Sequence, residues 1–474
     1  MDDVVKADQS INETKDFDVN TMSVSRKERT AFYFASFFRD MSYAIVGGFL
    51  LVFYIDIMGF AGTAALIFIP IITRIWDGVN DPLFGAYFDR RTYTNEKARP
   101  IFKSTVLICA ITLIMMFYAP TFSQNETIDY VLKCIYAIFT YGIFEGFHTL
   151  NGTAFMTLYN SISPNPEERT HIISRARLFS TMGTYLVYGA IPVVLGMFRN
   201  DDIVAKTYIY LGAAILISLC FVIYNFLMYR YVKERVITPS QEKQKILPML
   251  KKFTKNKLLI IMIISTSLAN FINIATIQLY FFTYNMGNPA LQTIVGLITL
   301  PTFFMGSLMT PSLVRRFTKR ELMIASSLAI VVVNLLFLLA GYKPAILVVL
   351  LVFLVMNFAL GVKGVLYWSM VSDTIDYGEW KTYVRNDGLV YAIEGAAMKI
   401  IGSVGAMYVG IVIMIINFVP NALTQTEATM QGLFYIPQIT TITVTLLSII
   451  PILFYDLDKK KYAMILAELK ERKD

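Results

Sequence analysis

Charged side chains are scarce in this sequence, where they make up 16% of the 474 residues. Hydrophobic residues make up 56%, and the mean hydropathy is +0.56. Such a composition excludes an ordinary soluble globular protein and is typical of a helical protein that crosses a membrane several times. We therefore expect the protein to be embedded in a lipid bilayer, which is one of its predicted partners.

Histidine and cysteine are almost absent. The two histidines lie far apart, and the three cysteines fall in apolar segments without paired or metal-type spacing. This distribution excludes a His/Cys metal centre and a disulfide framework. The sequence also lacks a phosphate-binding loop, a nucleophile elbow and a glycine-rich dinucleotide motif. A membrane-embedded enzyme or receptor is thus only a remote alternative, and we expect no catalytic residue and no cofactor.

Twelve apolar segments follow one another along the chain, most of them long enough to cross a bilayer with some tilt. They are residues 31–58, 61–88, 101–119, 130–158, 172–198, 206–230, 258–285, 289–314, 321–341, 344–371, 388–417 and 430–455. We therefore predict an all-α membrane protein with 12 transmembrane helices.

Lysine and arginine are distributed unevenly among the connections between these segments. Alternate connections, together with both ends of the chain, hold 31 of them, whereas the opposite connections hold three. The positive-inside rule then predicts a multi-pass cell-membrane protein with both termini in the cytosol. The asymmetry also explains the net charge of +8 without a nucleic-acid partner. The first thirty residues contain no apolar run, so we expect no cleavable signal peptide.

The longest polar interruption divides the segments six and six, which predicts two six-helix bundles in a major-facilitator-type fold. The predicted parts are a disordered cytosolic tail at 1–30, an N-terminal bundle at 31–230, a cytosolic connector at 231–257, a C-terminal bundle at 258–455 and a basic cytosolic tail at 456–474.

The most informative stretch lies in the second segment, where Arg74–Pro82 reads RIWDGVNDP. At helical spacing Arg74, Asp77 and Asp81 share one stripe, and Asn80 lies beside it. A charge near the bilayer centre costs about 2.5–3.5 kcal/mol even on lenient scales, so this cluster must face protein or water. Two carboxylates and an amide suit a small cation or a proton. The alternative, an Arg74–Asp77 pair that only joins helices, needs one acid rather than two.

Other polar residues also lie inside the apolar segments. They are Arg39, Asp40, Glu145, Thr149, Gly152 and Arg177 in the first half, and Lys363, Glu394 and Lys399 in the second. Asp40 is expected to face a central cavity, although a pair with the adjacent arginine that only joins helices is an alternative. Lys399 lies deep in its segment and needs either water or a carboxylate neighbour, for which Asp77 and Asp81 are the candidates.

Paired charges are dense between the tenth and eleventh segments. We predict an inter-domain latch there, and a solvated cytosolic helix is the alternative. The candidate latch residues are Asp373, Asp376, Glu379 and Arg385 of this connection, together with Asp89 and Arg90 after the second segment.

From about Arg29 to Tyr455, the sequence resembles the glycoside–pentoside–hexuronide:cation symporters. Two stretches carry the resemblance, Arg74–Pro82 and Asp373–Glu379, together with Lys399. The resemblance implies the major-facilitator fold and sugar uptake driven by Na⁺, H⁺ or Li⁺. The positions it assigns to the coupling cation are Asp77, Asn80, Asp81 and Thr149, with Lys399 nearby.

The same resemblance assigns Asp40 and Arg177 to the sugar, whose hydroxyls their charged groups can bind in a bidentate manner. Two positions depart from the family pattern. Gly152 stands where the family has an acid on its fourth helix, which favours H⁺ over Na⁺ unless Glu145 compensates. Met156 stands in place of a sugar-stacking tryptophan, so the substrate of any one member does not carry over.

Lys363 completes the candidate substrate residues together with Glu394. This lysine would suit an acidic sugar, or it would pair with an acid. We predict a monomeric secondary active symporter that imports a sugar or glycoside with H⁺ or Na⁺ by alternating access. A relative that carries a lysolipid or drug is the alternative, but it would need an apolar cavity without the Asp40–Arg177 pair.

Overall fold

The computed structural model describes residues 23–90, 98–163, 165–235, 256–269, 275–383 and 387–472. These stretches are helical and contain no strand. The helices are α1 (Arg26–Asp56), α2 (Ala65–Arg90), α3 (Arg99–Met116), α4 (Glu126–Ser161), α5 (Pro166–Leu195), α6 (Ile203–Tyr231), α7 (Lys257–Ala269), α8 (Ala275–Tyr280, continued by a π-helical turn, Phe281–Asn285), α9 (Ala290–Arg316), α10 (Lys319–Leu339), α11 (Ile346–Thr382), α12 (Asp387–Ile415), α13 (Glu427–Leu453) and α14 (Lys459–Glu471).

In the described part, nine helices are long and apolar enough to cross a membrane: α1, α3 to α6, α9 to α11 and α13. The predicted all-helical membrane class is therefore confirmed. The other three predicted segments coincide with α2, with α7 and α8, and with α12, each of which includes or adjoins residues outside the described part. The count of twelve transmembrane helices stays a prediction.

One predicted boundary is wrong, and the tenth segment continues as a helix beyond its apolar part. α11 runs past residue 371 to Thr382, in keeping with the alternative of a helix after this segment, and Tyr383 then adopts a left-handed φ of 59°. At the N-terminal side, the backbone of Val24 donates to the Glu168 carboxylate at 2.8 Å, and Ser25 caps α1. Residues 23–30 thus belong to the fold rather than to the predicted tail, of which residues 1–22 lie outside the described part.

The helices form two sets. In the first, α1 packs on α5 and α6, α3 packs on α4 and α6, and α2 packs on α4. In the second, α11 packs on α9 and α10, and α13 packs on α7 and α10. The sets meet where α2 packs on α12 and where α5 packs on α9. Most of the predicted connector, residues 236–255, lies outside the described part.

Glycines allow α9 and α11 to pack backbone to backbone. A Cβ at Gly306 would lie 2.2 Å from the carbonyl oxygen of Phe358, and one at Gly361 would lie 2.1 Å from that of Phe303. Small residues permit such close approach between membrane helices, where dispersion rather than hydrophobic burial drives association. At these two glycines, α9 and α11 therefore make close backbone contacts that any residue with a side chain would prevent.

We expect Gly361→Ala to destabilise the protein by about 1–3 kcal/mol, because the added methyl group forces α9 and α11 apart. Gly364→Ala is the matched control on the same helix, since a Cβ there meets nothing within 4 Å. Thermal unfolding of the purified variants in detergent measures the difference. An equal change in Tm for both variants would contradict this packing argument.

The two ends of the bundle differ in how the sets meet. We call the end where α1 begins and α13 ends the terminal end, and the opposite end, where α1 ends at Asp56, the distal end. At the terminal end, one apolar cluster contains residues of the first set only, among them Phe102 and Leu158. A second cluster there contains residues of the second set only, among them Leu366 of α11 and Ile465 of α14. The cluster that mixes both sets contains Phe53, near the distal end of α1.

A buried group of polar side chains joins the two sets at the distal end. The Asp56 carboxylate, 7% exposed, accepts hydrogen bonds from Lys206 Nζ at 3.3 Å and from the Tyr280 hydroxyl of the second set at 2.9 Å. Lys206 also donates to Asn421 Oδ1 at 2.8 Å, and the Asn421 amide donates to the Asp56 carbonyl. These four residues are the distal cluster, which ties α1 and α6 to α8 and the α12–α13 connection.

Candidate functional site

The α2 stripe buries its polar side chains inside the protein. Asp77 is 1% exposed and Asn80 is 0% exposed, and they lie one turn apart. The indole of Trp76, the residue before Asp77, donates to the Gly142 carbonyl at 2.8 Å, which fixes α2 against α4. The side chains of Arg74 and Asp81 lie outside the described part. The stripe thus presents at least one carboxylate and one amide away from lipid.

Asn80 has unused hydrogen-bonding capacity. Neither its amide nitrogen nor its amide oxygen has a hydrogen-bond partner within the described residues. An unsatisfied buried polar group costs about 1–3 kcal/mol, and nearly all such groups in native proteins have partners. An amide oxygen is also an ordinary ligand for a small hard cation. The residues present therefore fit a transported cation at Asp77 and Asn80.

The other predicted cation residues are only partly described. Thr149 is half-buried on α4, and Glu145, one turn earlier, is fully buried. The Cys109 thiol on α3 lies within electrostatic range of both Glu145 and Arg39. The side chain of Lys399 lies outside the described part, so its predicted pairing with the α2 acids stays a prediction.

A second polar cluster forms between α1, α4 and α5. The Arg39 guanidinium lies 3.3 Å from the Asp40 carboxylate, which also accepts a short hydrogen bond from the Ser180 hydroxyl of α5. Ser180 lies one turn after Arg177 on α5, so the structure places Asp40 beside the helix that carries Arg177.

Gly152 makes room for Arg39. A Cβ on this glycine would lie 2.8 Å from Arg39 Nη2, so the guanidinium occupies the space in front of α4. The guanidinium carbon Cζ of Arg39 lies 5.4 Å from the centre of the Phe155 ring, which is a cation–π contact. Arg39 Nε is buried and has no hydrogen-bond partner among the described residues.

Arg177 lines a cavity of about 840 Å³ between α5 and α9. One stripe of α5 contributes polar groups, namely Ser174, Arg177, Thr181 and Tyr185. The neighbouring stripe and the facing side of α9 are apolar; this wall is formed by Leu178, Met182, Leu186, Leu297 and Phe304, among others. Met156, predicted to line the substrate site, is exposed on α4.

The predicted substrate residues of the second set do not pair with each other in the structure. Glu394 is buried and accepts a short hydrogen bond from the Tyr367 hydroxyl of α11. Lys363, one turn before that tyrosine, is half-buried and makes no hydrogen bond or ion pair to a residue in the described part.

The predicted latch residues that can be placed belong to the second set. Asp373 pairs with Lys319 of α10 at 2.6 Å, and Asp376 accepts from the Tyr462 hydroxyl of α14 at 2.7 Å. Burial raises the pKa of Tyr462, and the bond to Asp376 raises it further, so the phenol stays a donor. Glu379 is half-buried on the same helix. The side chains of Asp89 and Arg90, and residue Arg385, lie outside the described part, so the latch stays a prediction.

Several residues of these clusters were missed at the level of sequence. Ser180 donates to Asp40, and Asp56 anchors the distal cluster. Ser180 was detectable in principle, because it lies one turn after Arg177 on the same helix. Asp56 was also detectable in principle, because it is an acid inside the first predicted segment, as Asp40 is.

The profile of the family described as MFS/sugar transport protein matches residues 31–459. The chain belongs to this family of membrane transporters. It is therefore a transporter rather than an enzyme, and the predicted resemblance is confirmed.

Named relatives and a solved structure agree with this assignment. The transporter is 27% identical to a putative sulfoquinovose importer of Escherichia coli (strain K12), with 96% of each chain covered. It is 29% identical to the putative glycoside/cation symporter YagG of Escherichia coli (strain K12), with 79% of each chain covered. The inward open structure of the xylose transporter XylE from E. coli superposes with a TM-score of 0.62 at 14% identity, covering 93% of this chain and 98% of that one. This structural likeness confirms the major-facilitator fold.

Proposed function

We propose that this sugar transporter imports its substrate together with a cation, H⁺ or Na⁺, by alternating access. The observation that carries the proposal is that two polar clusters, each unusual inside a membrane protein, both meet α4. Asp77 and Asn80 lie on α2, which is fixed to α4 through Trp76, and Arg39 of the other cluster lies against Gly152 of α4. Intramembrane ionisable groups are retained where they serve transport or proton transfer.

The cluster around Asp40 suits sugar hydroxyls. A carboxylate and two guanidinium groups offer acceptors and donors in pairs, which matches neighbouring hydroxyls on a pyranose ring. Thr149 and Gly152 lie one turn apart on α4, so the proposed cation ligand and the sugar-side contact share one helix turn. An ion that orders this turn would also order the sugar site, which is a physical route to coupling.

The proposed orientation assigns each end of the bundle to one side of the membrane. If the basic terminal end faces the cytosol, the distal cluster seals the outward side of the molecule. The relative named as a glycoside/cation symporter supports coupling to an ion, and the relative named as an importer supports inward transport.

We expect the double substitution Tyr280→Phe and Asn421→Ala to favour opening of the distal end. It removes the three hydrogen bonds of the distal cluster that join the two sets but keeps the Asp56–Lys206 pair within the first set. Each bond contributes about 0.5–1.5 kcal/mol, so the open population should rise roughly ten- to 2,000-fold. Spin labels on cysteines at the exposed positions Tyr118 and Leu423 would report the change as a longer distance.

Tyr208→Phe is the matched control for this experiment, because Tyr208 is exposed on α6 outside the distal cluster. An unchanged distance distribution in the double variant would contradict the assignment of the distal cluster as the outward seal.

A second candidate function is favoured by the apolar wall of the α5–α9 cavity, which would suit an amphiphilic solute such as a lysolipid. One experiment separates the two. Proteoliposomes are tested for uptake of labelled neutral glycosides, acidic glycosides and a lysolipid, with Na⁺ and pH gradients imposed one at a time. Sugar uptake that depends on one of the gradients supports the symporter. Uptake of the lysolipid alone would overturn it.

A further inference from the structure

We propose that His148 is a positioning residue through which the coupling cation acts on the sugar site. It links the turn of α4 that carries Thr149 to the turn of α1 that carries Asp40. The proposal rests on the ion-coupled sugar transport proposed above and names the contact that joins its two sites. It follows from the burial of His148, from its stacking contacts and from its hydrogen bond to α1.

His148 lies on α4 between the two polar clusters. Thr149, the proposed cation ligand, is the next residue, and Gly152, which meets Arg39, follows one turn later. His148 itself is 4% exposed and lies one turn after the buried Glu145. This short stretch of α4 thus carries contacts to both clusters, with the imidazole in its middle.

Two aromatic rings hold the imidazole in one orientation. It stacks on Phe144 of its own helix with 5.2 Å between ring centres and 26° between planes, and on Tyr43 of α1 with 5.4 Å and 21°. Offset stacking at such distances is favourable. Because these contacts restrict rotation of the ring, the imidazole moves with α4 and can transmit a small displacement.

The hydrogen bonds of Ser42 fix the direction of the contact between α4 and α1. Ser42 is 1% exposed, and it donates its single hydroxyl proton to the Arg39 carbonyl at 2.6 Å. The Ser42 oxygen therefore accepts from His148 Nε2, which lies 3.4 Å away and must carry a proton. This distance is long for a hydrogen bond, so a small approach of α4 towards α1 would strengthen the contact.

The contact with His148 acts on the backbone of the proposed sugar site. Ser42 holds the carbonyl of Arg39, in the turn of α1 that presents Asp40. The Arg39 guanidinium also touches α4 at Gly152, but its long side chain has many rotamers and can absorb a shift of α4. A stacked ring bound to a hydroxyl that holds the backbone has less freedom, so it transmits the shift to α1.

The cation acts on the other side of the same turn of α4. Trp76 fixes α4 to α2, which carries Asp77. A cation shared by Asp77 and Thr149 draws α2 and this turn of α4 together, and the adjacent His148 moves with the turn. Its bond to Ser42 then changes the alignment of the sugar site. By linkage, the sugar changes the affinity for the cation by the same factor.

Binding of a glycoside to the purified full-length protein, with and without the cation, tests the proposal. Methyl β-D-xyloside, methyl β-D-glucoside and methyl β-D-glucuronide are first screened on the wild type, in Na⁺ buffer and in choline buffer, each at acidic and at alkaline pH. The glycoside that binds is then titrated on the variants. The measured quantity is the coupling ratio, which is the Kd without the cation divided by the Kd with it.

The variants His148→Gln and His148→Met are a matched pair, because their side chains have nearly equal length and differ in an N–H donor. Ser42→Ala removes the acceptor, and the double variant Ser42→Ala/His148→Met tests whether both residues act through one bond. His171→Met is the control, because it replaces the other histidine of the chain, which lies on α5.

The wild-type coupling ratio should be about five or more. His148→Met and Ser42→Ala should each bring it towards one, by about two- to tenfold, which is the factor that one hydrogen bond contributes. His148→Gln should keep most of the ratio, and the double variant should lower it no further than either single variant. Without the cation, all variants should bind the glycoside with nearly wild-type affinity. A residue that only stabilises the fold would not show this rescue by glutamine.

The outcomes separate this inference from the function on which it rests. A wild-type coupling ratio in His148→Met and Ser42→Ala would overturn the role of His148 and leave ion-coupled transport intact. Weaker binding without the cation, at an unchanged ratio, would make His148 a sugar ligand and overturn the positioning role. A wild-type protein that binds none of the glycosides, or whose affinity no cation changes, would overturn both proposals. If His148→Met does not fold, Ser42→Ala and His148→Gln decide the same question.

Discussion

Replacing Asp77 by asparagine is expected to abolish accumulation of the substrate against its gradient. The coupling ion needs a negative charge at a buried position, and Asp77 is the carboxylate that the described part of α2 offers beside Asn80. Membrane insertion should survive, because a neutral side chain costs less than the 2.5–3.5 kcal/mol or so of a charge at the bilayer centre. We expect accumulation to fall at least about tenfold, to the level of passive equilibration.

Two further measurements make this prediction specific. Exchange of labelled for unlabelled substrate across the membrane, which needs no ion gradient, should continue in Asp77→Asn. Asp201→Asn is the control, because it neutralises an acid that forms an exposed ion pair with Arg199 at the surface. A variant that still concentrates substrate like the wild type would show that the ion binds elsewhere. The same variant at Asp81 extends the test to a position whose side chain lies outside the described part.

Asp40→Ala is expected to have the second large effect, a loss of substrate affinity. Ser180 loses its acceptor and Arg39 loses its ion-pair partner, so the substrate site loses both a ligand and its alignment. Removing one partner of a buried charged hydrogen bond costs about 2–5 kcal/mol, which corresponds to a roughly 30- to 4,000-fold weaker Kd. Arg177→Ala should change affinity in the same direction.

Substrate binding to the purified protein measures this effect, and the response of the empty carrier to the cation should persist in both variants. Asp456→Asn is a suitable control, because Asp456 is an acid paired with Lys461 near the terminal end, away from the cluster. Equal affinity in Asp40→Ala and the wild type would remove Asp40 from the substrate site.

The sequence predicts the membrane helices well because apolar composition and length decide them. Beyond the apolar part of a segment, composition no longer indicates where the helix ends. For example, α11 continues as a helix through a charged stretch that the sequence suggests is a connection. Asp373 and Asp376 stay helical there because Lys319 of α10 and Tyr462 of α14 bind them. Those partners lie on other elements, which a linear pattern does not reveal.

The candidate sites likewise include some features that the sequence predicts and others that it does not. Periodicity placed Asp77 and Asn80 on one face, since both lie on one helix. Contacts between different helices could not be predicted from the periodicity of the sequence. The position of Arg39 in front of Gly152 depends on how α1 packs against α4, and the distal cluster depends on the meeting of both sets. Sequence alone therefore suggests the ingredients of the substrate site, whereas the position of Arg39 against Gly152 becomes apparent only in three dimensions.

The most direct test of this account is the accumulation ratio of a transported glycoside in proteoliposomes under an imposed ion gradient. We predict that the internal concentration exceeds the external one while the gradient of the coupling ion, H⁺ or Na⁺, is present. An ionophore for that ion should bring the ratio back to one. A ratio of one with every gradient imposed, despite measurable exchange of the glycoside, would contradict ion-coupled import.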